Sequence, residues 1–315
     1  MTAPIKLTTQ RMAEFAARGV LRFDAVVPAA INEAFLAHLA AAANSATTEP
    51  DAAGENPHAL YGALLAEPAI PFLAPGTHWL QAFEPTHPLH ALLRLPEIAG
   101  AIESLVGRSA VVDHQFLHIT FPPRDPARPV AQHYHQDSTI DPRHSFDIQL
   151  FYFPQAVTGT MGGTRYLPGS HLRRVSESAI ARYQNLRGQQ HVTCAAGTVF
   201  IFHHGLWHGG GANTGDSLRY LWKLRLAPQE PQVKLWDTQD LVEDPHHQSP
   251  IFWAPIGGPA DPVHAILTKP EPWFEADTER LEYIARIAFW RRLIGDDRFD
   301  ADYWLSRLEN EYPPN

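Results

Sequence analysis

The chain is 315 residues long, with 44% hydrophobic and 19% charged side chains, which suits an ordinary soluble globular protein of one large domain or two smaller ones. Its 25 Lys and Arg against 34 Asp and Glu leave a formal net charge of −9, which argues against nucleic acid or an anionic membrane as partner. A single cysteine, Cys194, excludes an internal disulfide and a thiolate metal cluster and suits a reducing cytoplasm, whereas 18 histidines tilt any metal site toward imidazole and carboxylate ligands.

Thr8 to Ala17 reads as a short helix, Gly19 to Val27 as a strand, and Pro28 opens a second helix through Ala43. The N-terminal stretch has no apolar run of signal-peptide length and no later segment approaches a membrane span, so the expected location is the cytoplasm. Residues 44–95, with Trp79 and Phe83, are loop-rich and interrupted by proline. Pro96 suits the first position of a helix running to Leu105.

From Ser109 to about Pro228 the character is β. VVDHQFLHITF, QHYHQDS, FDIQLFYF, GGTRYLPGS, GTVFIFHHGLW and SLRYLWKLRLA are short β-branched and aromatic runs separated by turn residues. Residues 229–275 are again loop-rich, and two amphipathic helices are expected in 276–315. The expected fold is therefore a single domain over 1–315, mainly β with flanking helices. Its core over about 109–228 would be a double-stranded β-helix (jelly roll, cupin-like), with 44–95 and 229–275 as lid and substrate-pocket walls.

His133-Tyr-His-Gln-Asp-Ser138 places His133, His135 and Asp137 at alternate positions, which in a strand share one face. An unpaired carboxylate beside imidazoles on a buried face is costly, and a divalent metal would relieve that cost; a polar face open to water is the other reading. A second cluster, His203, His204 and His208, precedes a glycine-rich turn from Gly209 to Gly215, and the returning strand would bring Arg219 near His208. Two imidazoles and one carboxylate on one face of an octahedral metal form the ligand set of non-heme Fe(II) oxygenases, with three positions left open. A guanidinium adds a fixed fork for a carboxylate.

HQD at 135–137, GGTRYLPGSH at 162–171, and HGGGANTG at 208–215 with Arg219 eleven residues after His208 resemble the phytanoyl-CoA dioxygenase family of Fe(II)- and 2-oxoglutarate-dependent oxygenases. The resemblance implies that His135, Asp137 and His208 ligate Fe(II) and that Arg219 pairs with the distal carboxylate of 2-oxoglutarate. It places Gln136 between the ligands, and Phe151 beside the cosubstrate where relatives often carry Trp. Gly215 stands where many relatives have Ser. The implied reaction couples O2 and oxidative decarboxylation of 2-oxoglutarate, giving succinate and CO2, to oxidation of an unactivated C–H bond. Hydroxylation is its default outcome, because Asp137 occupies the position that halogenating relatives leave without a carboxylate.

Several alternatives stay open on sequence. His133 shares the face of His135 and could replace it as a ligand. Lys223 and Arg225 share the face of Arg219 and could pair with the cosubstrate instead. His203 and His204 read as wall residues, His171 as a structural hydrogen-bonding residue, and Cys194 as core packing; Trp79, Trp207 and Trp253 are core or pocket wall. A cupin-like metal-dependent oxygenase that uses no 2-oxoglutarate and a non-catalytic β-sandwich binding module are the competing functions. The expected partner is a small-molecule metabolite, not nucleic acid or membrane; the oligomeric state is open, with a homodimer as one outcome.

Overall fold

The computed structural model describes residues 3–46, 70–123, 127, 129–137, 146–173, 180, 185–229, 236, 237, 239 and 240. The chain divides into two compact units, Met1–Asp237 and Thr238–Asn315. Apart from Gln239 and Asp240, the second unit lies outside the described residues, and so do the two C-terminal helices expected there.

Helix α1, Thr9–Arg18, begins where the Thr8 side chain accepts a hydrogen bond from the Arg11 amide, satisfying one of the donors a helix start leaves over. It ends at Gly19, whose φ of +69° is left-handed and whose N–H donates to the Phe15 carbonyl at 2.7 Å. A Cβ at Gly19 would also collide with the His171 ring. His171 sits beneath this helix end with its Nε2 3.0 Å from the Ala16 carbonyl, a structural hydrogen bond of the kind expected of it. Strand β1 spans Val20–Phe23 and helix α2 Ala29–Ala46.

The proline-rich stretch is more ordered than its composition suggests. A 3-10 turn covers Trp79–Gln81, and helix α3 spans Pro88–Leu93, its first turn capped by the His87 side chain accepting from Leu89 N–H at 3.1 Å. Helix α4 follows over Pro96–Leu105, as expected. Pro88 and Pro96 each begin a helix here, because a missing N–H costs nothing at the first helical position.

Among the described residues seven further strands follow: β2 Val111–Thr120, β3 Ile148–Phe153, β4 Thr164–Tyr166, β5 Gln190–His191, β6 Thr198–His203, β7 His208–Gly210 and β8 Arg219–Ala227. They form a five-stranded sheet in the order β1-β6-β3-β8-β2 and a three-stranded sheet in the order β5-β4-β7, with every pairing antiparallel. This is the mainly β, jelly-roll core expected. The described part of the HYHQDS segment, residues 133–137, departs from expectation: it is not a regular strand but meets β7 through a single bridge, His135 with His208.

Alternation in the larger sheet separates two cores. On one face Leu150, Tyr152, Ile201, Trp222, Leu224 and Leu226 pack against residues of the helices, among them Phe15, Phe35, Leu92 and Ile102. Trp79 belongs to this cluster, with its indole N–H donating to the Arg108 carbonyl at 3.1 Å. The opposite face contributes Phe151, Phe153, Phe200, Phe202 and Leu221 to a second cluster, which Tyr166 of the smaller sheet completes. Cys194 packs at the edge of that cluster. Residues on β8 that share the Leu221 face are Arg219, Lys223 and Arg225, so polar groups share a surface with this aromatic interior. No helix among the described residues is long and apolar enough to cross a membrane.

Candidate metal centre

His135, Asp137 and His208 converge. One ligand atom from each lies within 4.8 Å of the other two. The Nε2 atoms of His135 and His208 are 3.7 Å and 3.5 Å from the two oxygens of the Asp137 carboxylate, and the imidazole centroids are 4.5 Å apart. The chain brings them together through backbone pairing: His135 N–H donates to the His208 carbonyl and His208 N–H to the His135 carbonyl, each at 2.9 Å. Gly209 permits this approach, since a Cβ there would stand 2.8 Å from the His133 carbonyl oxygen.

The tautomers follow from the carbonyl partners. His135 Nδ1 lies 3.0 Å from the His133 carbonyl oxygen and His208 Nδ1 lies 2.8 Å from that of Leu206. A carbonyl only accepts, so both Nδ1 atoms carry the proton and both Nε2 lone pairs face the carboxylate. Burial lowers the pKa of His208 to about 4 against the opposing pull of Asp137, so at neutral pH it is the uncharged, ligating form. Burial alone would raise the Asp137 carboxyl. In the acid range where this carboxyl would titrate, protonated His208 and the Lys223 ammonium, together with a Lys223 hydrogen bond, overcome burial and hold it well below the usual carboxylate range. Two neutral imidazoles and one carboxylate with preset lone pairs fit a divalent metal, and the donor set suits iron.

Three cations share the inner face of β8. Lys223 Nζ is 2.8 Å from Asp137 Oδ2. Arg225 binds two carboxylates, Asp113 at 2.9 Å and Asp147 at 3.0 Å. Arg219 has no carboxylate partner among the described residues: its Nε donates to the Met161 carbonyl at 3.2 Å and one terminal nitrogen to Thr120 Oγ1 at 2.6 Å. The remaining terminal nitrogen, Nη1, is buried without a partner among the described residues. Burial lowers the guanidinium pKa to about 10, which leaves it charged at neutral pH.

The other sequence candidates fall around this centre. Phe151 presents its ring edge-on to His208 at 5.7 Å between centroids, and Gln136 is buried between the two ligands of its own segment. His133 is exposed and contributes its carbonyl, not its imidazole. His203 packs with Phe15 and His171, and His204 is buried near Arg225; neither joins the metal group. Trp207 is fully buried, and Trp253 lies outside the described residues. Sequence reasoning missed Thr120 and His118. Both lie on β2, opposite Arg219 and Leu221 in the β8 register, and the alternation of His114, Phe116, His118 and Thr120 was the available signal.

A family model described as phytanoyl-CoA dioxygenase (PhyH) matches residues 15–220, roughly two thirds of the chain. The chain belongs to the phytanoyl-CoA dioxygenase family. The match runs from α1 to the first residues of β8, enclosing His135, Asp137, His208 and Arg219. Two uncharacterized proteins, Rv1501 of Mycobacterium tuberculosis and Mb1539 of Mycobacterium bovis, are each 28% identical over 132 residues. The match covers 40% of this chain and 46% of each relative, so the chain spans about half the length of the curated relatives it matches. Among solved structures, the epimerase SnoN in complex with Fe3+, alpha ketoglutarate and nogalamycin RO is 17% identical, with a TM-score of 0.49 over 76% of this chain and 93% of that one. HygX from Streptomyces hygroscopicus with nickel and 2-oxoglutarate bound is 13% identical, with a TM-score of 0.48 over 71% and 88%. The alpha ketoglutarate dependent carbocyclase SnoK from nogalamycin biosynthesis is 20% identical, with a TM-score of 0.48 over 72% and 87%. The ligands and activities in those names belong to those proteins.

Proposed function

We propose that the protein is an Fe(II)- and 2-oxoglutarate-dependent dioxygenase that hydroxylates an unactivated C–H bond of a small-molecule metabolite. The observation that carries the reading is the buried, unpartnered Nη1 of Arg219, the one β8 cation without a carboxylate among the described residues, on the sheet face that also bears Lys223. A buried charged donor of this kind suits a carboxylate supplied by a cosubstrate.

His135, Asp137 and His208 hold the iron, their Nε2 lone pairs and carboxylate already aimed. Iron and 2-oxoglutarate together supply the oxidising chemistry, with succinate and CO2 as the coproducts. Arg219 grips the distal carboxylate, while Thr120 and the Met161 carbonyl fix the plane of its guanidinium. Phe151, Phe202 and Leu221 line the adjoining interior and exclude water from it. The segments 44–95 and 229–275, expected as lid and pocket walls, lie largely outside the described residues; the described part, 70–95, packs in the helix-side core through Trp79, Phe83 and Leu92.

The test is a metabolite screen for substrate-stimulated succinate release by the Fe(II)-loaded protein. A candidate that raises succinate and gains one oxygen atom by mass spectrometry identifies the substrate. Metal-dependent oxidation of a substrate without consumption of 2-oxoglutarate would instead favour the cupin-like oxygenase.

A further inference from the structure

Among the described residues, one full charge lies in hydrogen-bonding reach of Asp137. Its Oδ2 accepts from Lys223 Nζ at 2.8 Å, while the two imidazoles facing it present lone pairs and not protons. Lys223 is buried, and its ammonium is held between aromatic rings, 5.9 Å from the Phe116 centroid and 6.0 Å from that of Phe151. In the β8 register it stands opposite Phe116 on one side and Phe151 on the other. A metal ligated by Asp137 lies about 2 Å from a carboxylate oxygen, and so within about 5 Å of this ammonium. Charges of like sign at that separation in a poorly hydrated interior repel strongly.

We propose that Lys223 is a tethered cation that competes with the divalent metal for Asp137, so that the carboxylate of the cosubstrate is needed for tight metal retention. The inference rests on the ligand set read above and deepens it. In the metal-free protein Lys223 neutralises a carboxylate that two uncharged imidazoles cannot. On metal loading the same ammonium becomes an unfavourable neighbour, and an anion bound beside the metal offsets it. Metal and cosubstrate binding are thereby coupled, each strengthening the other by the same factor. Arg225 cannot substitute for Lys223, since Asp113 and Asp147 hold it.

The experiment is calorimetric titration of the metal-stripped full chain with Mn(II), with and without 2-oxoglutarate, in the parent and in Lys223→Met, Lys223→Gln and Lys223→Arg. The two neutral variants should bind Mn(II) at least about tenfold more tightly than the parent in the absence of 2-oxoglutarate, because the repulsion from a like charge about 5 Å away is removed. They should also melt at lower temperature when metal-free. Lys223→Arg keeps the charge and should stay close to the parent. Saturating 2-oxoglutarate should tighten Mn(II) binding by a larger factor in the parent than in Lys223→Met. Unchanged or weaker Mn(II) binding by both neutral variants would overturn the proposal, because Lys223 would then be orienting Asp137 for the metal. Tighter binding in both, with 2-oxoglutarate affecting neither them nor the parent, upholds the competition and counts against the cosubstrate. No Mn(II) binding by any of the four proteins overturns the metal centre and the proposal together.

Discussion

His135 and His208 exchange two backbone hydrogen bonds of 2.9 Å, and this pair aligns two ligands from segments more than seventy residues apart. Gly209 lies directly against it, its α-carbon facing the His133 carbonyl. A methyl group there has only backbone to displace. Gly209→Ala should therefore weaken metal binding by about tenfold or more without removing any ligand, as displacement of a ligand's support does. Mn(II) titration alongside a thermal melt checks this: a folded variant with parental metal affinity would mean that the pair does not set the ligand geometry.

His133 and His135 are alternatives on sequence, and the geometry separates them. His135→Ala should lower metal affinity by at least the roughly 10- to 100-fold seen for lost supporting contacts. His133→Ala should stay near the parent, because His133 contributes through its carbonyl oxygen. Metal retained by His135→Ala and lost by His133→Ala would reverse the assignment.

Arg219→Met tests the carboxylate clamp. Removing one partner of a buried charge pair costs about 2–5 kcal/mol, so the KM for 2-oxoglutarate should rise by about 30-fold or more, with Mn(II) affinity in the absence of 2-oxoglutarate little changed. Arg219→Lys should recover only part, since an ammonium cannot reach Thr120, the Met161 carbonyl and a carboxylate at once. A 2-oxo acid without the distal carboxylate should be a poor cosubstrate for the parent and lose little more on mutation. An unchanged KM in Arg219→Met would remove this residue from the site.

Acid should destabilise the fold through buried histidines. Burial lowers the His171 pKa to about 4, against about 6.5 in an unfolded chain. Above pH 6.5 the ring is neutral in both states and folding carries no penalty from it. As pH falls from about 6.5 toward 4 the unfolded chain takes up a proton that the folded chain refuses, and stability drops by about 1.4 kcal/mol per pH unit, roughly 3 kcal/mol in full. His171→Gln keeps a donor for the Ala16 carbonyl without the titration. Urea melts near pH 7 and pH 5 should show a smaller loss for the variant than for the parent; equal losses would exclude His171 as a source of the acid sensitivity.

The jelly roll was legible because strands such as FDIQLFYF and SLRYLWKLRLA carry dense β-branched and aromatic runs bounded by turns, and burial on both faces demands such runs. Helix α4 was legible from Pro96 alone, whereas α3 was hidden because its signal, His87 capping the turn that Pro88 begins, reads as loop composition. The convergence of His135 and Asp137 was anticipated on the premise of a strand. The structure reaches it differently, with one bridge to β7 and a carbonyl-fixed tautomer. Which of Arg219, Lys223 and Arg225 is left without a carboxylate could not be read from alternation. That depends on Asp113, Asp137 and Asp147, which only the tertiary fold brings to them.

The most direct measurement is succinate formation from 2-oxoglutarate by the purified chain, with and without Fe(II), beside the Asp137→Ala variant. Even without the primary substrate, a protein that binds iron at His135, Asp137 and His208 and the cosubstrate at Arg219 should turn over slowly and release succinate and CO2 in equal amounts. That release should require Fe(II) and vanish in Asp137→Ala. Succinate formed equally by Asp137→Ala, or absent from the iron-loaded parent under every substrate of the metabolite screen, would contradict the account.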